Sequence, residues 1–289
     1  MPLLKKIKYA ALKTNHYLER LIPVTTPFSI VIGFLLPSVF VVLRPYVPLL
    51  FGIMTFSGAL KLRAAELGKS VRSPAPILLF FAAAHVLMPS AAMLISSLFF
   101  ANNDVVSGFV LLFSGPTAVS GFIWVLILKG DMALCLTLIL LDTLLAPFVV
   151  PGSIAVLMGA KTAMDMSGIA LSLLFMVVIP TIIAVTVNET SKGKVPALIC
   201  PYFDPFAKIC LMLVIATNAS IIAPALDLTD PLIWQVAILV IALTSAGFAL
   251  TKLITVIGKC RPPKDITLII SGGLRNNSAV MTIAVTFFP

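Results

Sequence analysis

The sequence predicts an all-α polytopic membrane protein made of two inverted repeats, each with one interrupted helix. Three observations point there. Of 289 residues, 60% are hydrophobic and 11% are charged, whereas a soluble domain carries about a quarter charged residues. Apolar runs of roughly 20 residues, enough to cross about 30 Å of hydrocarbon, recur from end to end. Two of these runs are broken mid-way by Gly, Pro and polar residues. Strands of about ten alternating residues, the mark of a membrane β-barrel, are absent.

Residues 1–22 come first. Basic and apolar residues interleave at helical spacing in MPLLKKIKYAALKTNHYLERL, which predicts a basic amphipathic N-terminus on the inner membrane surface. No small-residue cleavage site is present, so it does not read as a signal peptide. Nine spans follow, at 23–43, 46–60, 75–99, 105–128, 132–158, 166–187, 205–225, 231–256 and 265–288. Polar linkers separate them, among them RAAELGKSVRSP, KGD, SKGKVPALICPYFDP and GKCRPPKD. Pro37, Pro89, Pro147, Pro151 and Pro180 read as ordinary helix kinks.

Lys and Arg set the orientation. The N-terminal side holds Lys5, Lys6, Lys8, Lys13 and Arg20, then Lys61, Arg63, Lys69 and Arg72, then Lys129, Lys192, Lys194, Lys259, Arg261 and Lys264. The other side holds only Arg44 and Lys161. The expected placement is the plasma membrane, the inner membrane of a bacterium, with a cytoplasmic N-terminus. The net charge of +9 fits loops facing anionic lipid better than nucleic acid, for which no reading motif is present. Four cysteines show no CxxC and no metal spacing, which argues against a disulfide or zinc framework.

Span four contains GPTAVSG, Gly115 to Gly121. Span nine contains SGGLRNN, Ser271 to Asn277. Backbone groups freed by such breaks are tolerated only where protein or a water-filled cavity satisfies them. Paired interruptions in two halves of a chain point to a transporter site. Taking 23–160 as the first repeat makes 161–289 an incomplete second, with spans four and nine as the same element. Five spans per repeat invert the copies and call for a tenth helix, which is expected to be missing. Ionisable residues within spans are costly and tend to be functional. Three stand out: His85 in span three, Asp142 in span five and Arg275 in span nine. His85 reads either as a proton carrier or as a hydrogen-bonded packing residue. Asp142 reads as a partner of Arg275, as a titrating proton carrier, or as a protonated carboxyl bonded to a neighbouring helix.

The motifs GPTAVSG, KGDMALCLTLILLDTLLAPFVVP (Lys129 to Pro151) and SGGLRNNSAVMTIAVTFFP resemble the bile acid:sodium symporter family, with weaker support from LLFGIMTFSGALKL and AHVLMPSAAM. The resemblance implies a panel of spans 1, 2, 6 and 7 and a core of spans 3–5, 8 and 9. It also implies broken helices that cross in the core, and sodium-driven uptake of an organic anion. It implies oxygen donors for sodium in spans four, five and nine. At the span-four break, where those relatives carry Ser-Asn, this chain reads Val-Ser-Gly. The span-five positions hold Cys135 and Ile139, the bridging carboxylate's place holds Ser271, and the following glutamine becomes Arg275.

The expected function is therefore a secondary transporter that moves a small organic anion by alternating access, sodium-independent or proton-linked, with Arg275 supplying the charge that sodium gives elsewhere. The expected anion contacts are Thr117, Ser120, Asn218, Arg275, Asn276 and Asn277. His85, Cys135, Asp142, Thr143 and Ser271 form the expected ion- or proton-handling set. No cofactor is expected beyond a sodium ion or proton as coupling species. The partners are the anion and membrane lipid, not nucleic acid. Three alternatives stand beside this reading: a sodium-coupled symporter, a metabolite or arsenite-type exporter using Cys135, and a membrane sensor or channel. With no HExxH, no GxSxG and no paired carboxylates in one span, an enzyme is not expected.

Overall fold

The computed structural model describes residues 2–62, 74–159 and 164–287. Arg63, Lys69, Arg72 and Lys161 lie outside them, as do the side chains of Lys5, Lys6 and Lys8. Every named element among the described residues is helical.

In chain order these are α1 (Pro2–Leu35), α2 (Pro37–Ala59), α3 (Ala75–Phe99), α4 (Asn103–Ser114), α5 (Gly121–Ile127), α6 (Met132–Met158), α7 (Met166–Thr190), α8 (Lys194–Ala225), α9 (Pro231–Ile257), α10 (Lys264–Gly273) and α11 (Asn277–Phe287). Six of them (α2, α3, α6, α7, α8 and α9) are long and apolar enough to cross a membrane. Lys13–Ile22 and Val24–Leu35, bent by 69° within α1, would make a seventh. Pro23, which lacks an amide hydrogen, sits at that bend.

Several boundaries differ from those read in the sequence. The first break falls at Leu36, which is non-helical (φ −125°, ψ 53°), and Pro37 then opens α2. A proline disfavours helical geometry in the residue before it and suits a helix start. Arg44 and Pro45 do not end a span; they lie in a 3₁₀ stretch within α2. α8 begins at Lys194, so the stretch read as a linker before residue 205 is helical. Its start is set by Gly193 at φ 78°, a left-handed turn that glycine adopts without strain. Pro89 and Pro180 do not act as simple kinks. Each follows a π-helical turn, at Ala82–Leu87 and at Leu174–Val178.

The chain divides into two compact units. The first joins Met1–Arg63 with Leu174–Leu226. Within it α1 runs along α8, and a Cβ on Gly33 would press on the Ala216 carbonyl. The end of α2 is tied to its neighbours. Ser57 Oγ donates to Asp204 Oδ1 at 2.8 Å, Lys61 Nζ lies 2.9 Å from Asp204 Oδ2, and Asn188 Nδ2 donates to the Leu62 carbonyl at 2.8 Å.

The second unit joins Ala64–Leu173 with Asp227–Pro289. α6 is its most buried span and packs against α4, α5 and α10. Phe80 and Ala84 of α3 meet Leu134 and Leu138 of α6 and Leu268 of α10 in a closed apolar cluster. Asp131 caps the start of α6 through Leu134 N.

Candidate functional site

α4 stops at Ser114 because Gly115 turns extended (φ −55°, ψ 151°) and Pro116 offers no amide hydrogen. α10 stops at Gly273, with Leu274 extended (φ −97°, ψ 124°). The two breaks meet. Thr117 and Arg275 pair antiparallel, as in a two-residue fragment of β-sheet. Asn276 N donates to the Pro116 carbonyl at 2.7 Å, and Ala118 N donates to the Leu274 carbonyl at 3.3 Å. Each break thus satisfies backbone groups that the other exposes, as a buried irregular segment requires. A Cβ on Gly115 would run into Val280 of α11, so the close approach needs glycine there.

Side chains tighten the bridge. Thr117 Oγ1 donates to the Ser271 carbonyl and lies 3.2 Å from the Leu274 carbonyl. The Thr117 amide donates to Asp142 Oδ2 at 2.7 Å. Asp142 is fully buried, and its second oxygen lies 2.8 Å from His85 Nε2. His85 also stacks on Phe81, with ring centroids 5.4 Å apart.

Arg275 does not take Asp142 as an ion-pair partner among the described residues. It lies within electrostatic reach of that carboxylate, but Nη2 donates to the Ala84 carbonyl at 3.0 Å and to the Gly272 carbonyl at 3.3 Å. The π-helical turn explains why the Ala84 carbonyl is free. The Met88 amide bonds back to Ala83 rather than Ala84. In the same register the donor for Ala84 would be residue 89, and Pro89 has no amide hydrogen. Arg275 Nη1 is buried and has no hydrogen-bond partner among the described residues.

The other expected residues fall at different distances from this centre. Ser271 Oγ lies 4.0 Å from Cys135 Sγ, both buried. Thr143 is buried beside Asp142 in sequence. Asn276 Oδ1 accepts from Ala279 N at 3.2 Å and so caps α11. Asn277 helps line an apolar cavity of about 580 Å³ with Asp104, Phe109, Val240 and Met281. Ser120 is exposed just before α5 and makes no capping bond. Asn218 is buried in α8, in the first unit. Sequence reading missed the main-chain groups, namely the Thr117 amide and the Ala84 and Gly272 carbonyls. The spacing of His85 and Pro89 was the one signal that could have marked Ala84.

The model of the sodium bile acid symporter family matches residues 47–226. The chain belongs to this family. It is a family of transporters, not of enzymes, and implies a small-molecule substrate carried by a multi-pass membrane protein. The uncharacterized protein YbaS of Bacillus subtilis (strain 168) is 36% identical over 268 residues, covering 92% of this chain and 88% of its own length. The uncharacterized sodium-dependent transporter YocS of the same organism is 25% identical over 63% of this chain and 57% of its own. The probable sodium/metabolite cotransporter BASS3, chloroplastic, of Oryza sativa subsp. japonica is 27% identical over 61% of this chain and 41% of its own. The matches to YocS and BASS3 therefore span about half of those two relatives.

Proposed function

We propose that the protein is a secondary transporter that carries a small organic anion across a bacterial inner membrane by alternating access, with the N-terminus in the cytoplasm and without sodium as its coupling ion. In this reading the nine spans form two inverted repeats, the first unit is the panel and the second unit is the core. Arg275 stands where relatives place sodium, and a proton is the coupling ion.

One observation carries the reading: Arg275 holds the Ala84 and Gly272 carbonyls at the crossing of the two broken helices. Carbonyl oxygens gathered in this way are what a hard cation seeks, and here a fixed guanidinium takes them. Asp142 Oδ2 accepts from the Thr117 amide, the Ser271 carbonyl accepts from Thr117 Oγ1, and Asp142 Oδ1 lies 2.8 Å from His85 Nε2 without forming a regular hydrogen bond. What supports a sodium-free reading is the fixed positive charge of Arg275 beside these oxygens, which disfavours a second cation there. Arg275 Nη1 points the other way, to an anion: it is a buried, charged donor that still needs an acceptor.

The test is uptake into proteoliposomes of a set of anions running from short hydroxy acids to cholate, with and without a sodium gradient. The expected result is uptake that is indifferent to sodium and reduced at least about tenfold by Arg275→Gln, the loss of one charge-assisted contact. Uptake that requires sodium would refute the sodium-free reading. No uptake of any anion in the set would refute the organic-anion reading.

A further inference from the structure

We infer that the buried His85–Asp142 pair is a proton-binding site, and that a proton bound there is accompanied by one monoanion. This deepens the transporter reading above and rests on it for its role in transport, though not for the existence of the site.

Proximity to Asp142 distinguishes the two ring nitrogens of His85. Asp142 Oδ1 lies 2.8 Å from Nε2 without aligning as a regular hydrogen bond, and its charge at that distance favours the ring's first proton on that nitrogen when His85 is neutral. The added proton then goes to Nδ1, which is buried and has no hydrogen-bond partner among the described residues. On release it leaves Nδ1 for water on whichever side is open. The groups facing the pair are few. Arg275 lies within reach from the break after α10, and Cys135 lies two turns before Asp142 on α6. The other charged residues on the packed elements (Asp104, Lys129, Asp131, Lys252, Lys264 and Asp265) lie at or near helix ends.

Charge then decides the coupling. Without the proton, Arg275 and Asp142 sum to zero. With it, the site carries +1 in a desolvated interior, where an uncompensated charge is costly. A monoanion restores neutrality, and Arg275 Nη1 is the donor left to receive it. Proton and anion therefore favour each other's binding, and by linkage they do so reciprocally. The pair is also tied to the crossing of the broken helices. Asp142 grips the Thr117 amide with its other oxygen, so a change in the charge of the pair acts directly on the bridge between the broken helices.

The chain has two histidines, His16 and His85, so the site can be read by nitrogen-15 histidine NMR on the full protein in lipid nanodiscs, with His16→Gln for assignment. The Nδ1 signal of His85 should pass from the bare to the protonated position between about pH 5 and pH 9. Asp142→Asn, which removes the facing charge, should alter that transition. A wild-type signal that stays in one state across that range overturns the proton site, and this arm decides even if Asp142→Asn does not fold. At fixed pH, titration with monocarboxylates from acetate to cholate should raise the ratio of protonated to neutral His85 at least about tenfold for one of them. No rise with any of them overturns the coupling. Failed uptake in proteoliposomes, by contrast, counts against the transporter reading alone.

Discussion

The Thr117 amide donates to Asp142 Oδ2 at 2.7 Å. One is a backbone group stranded by a broken helix, and the other is a carboxylate in the middle of an unbroken one. The bond makes Asp142 the structural partner of the break as well as the partner of His85. Removing its acceptor should therefore cost more than removing its charge. Asp142→Leu should lose about 3–5 kcal/mol, as when one member of a buried pair is deleted. Asp142→Asn, which can still accept from Thr117, should lose about 1–3 kcal/mol. Thermal unfolding of the purified protein in one detergent would rank them, and equal losses would show that the Thr117 bond contributes little.

Thr117→Val keeps the shape of the side chain and removes its hydroxyl. The Ser271 and Leu274 carbonyls then lose a donor, at an expected cost of about 1–3 kcal/mol. Thr117→Ser should recover most of it. Anion uptake should follow stability in this pair, both being measured on the same preparations.

Pro89→Ala should separate stability from function. The new amide hydrogen can reach the Ala84 carbonyl, which removes one reason for Arg275 to be there. An interior proline costs a helix about 3 kcal/mol, so the variant should be as stable as the wild type or more so. Its uptake should nonetheless fall. A variant that is both more stable and fully active would remove the π-helical turn from the account.

Gly115→Ala should be destabilising by about 1–3 kcal/mol, because the added methyl meets Val280. Gly152→Ala is the control, since nothing lies within 4 Å of a Cβ there.

Cys260 lies between α9 and α10, outside the helical spans, and burial pushes its thiol above the usual cysteine range, with Asp265 adding to the rise and Lys264 opposing it. The thiolate is the reactive form, so a raised value means a smaller thiolate fraction at neutral pH. Labelling by a membrane-impermeant maleimide should be slow near pH 7 and accelerate steadily as pH rises. With Cys200→Ser to lower background, labelling should occur in inverted vesicles and not in right-side-out cells, if this loop is cytoplasmic.

Much of the frame was legible because hydrocarbon imposes length and apolarity on a helix. Ala75–Phe99 and Met132–Met158 fall on their expected limits, and GPTAVSG and SGGLRNN do interrupt their helices. The misplaced boundaries involve prolines. Pro37 reads as a kink within a span but opens a helix, while Pro45, Pro201 and Pro205 lie inside helical stretches where the sequence shows a polar linker or a span end. At the site the sequence shows which residues are charged but not which main-chain oxygens are unoccupied. His85, Asp142 and Arg275 stood out for that reason, while their pairing did not: Arg275 goes to carbonyls made available by Pro89, and Asp142 goes to His85 and an amide.

The bridge between Thr117 and Arg275 is held in part by main-chain amides and carbonyls. Its bonds from Asn276 to Pro116 and from Ala118 to Leu274 name no side chain. These two bonds survive a change of side chain at Asn276 or Ala118 to any residue that keeps its amide hydrogen, so the frame asks less of those positions than it asks of Gly115, Thr117 and Asp142. The crossing behaves like a socket whose wiring is partly main chain, with a few side chains as its fixed pins.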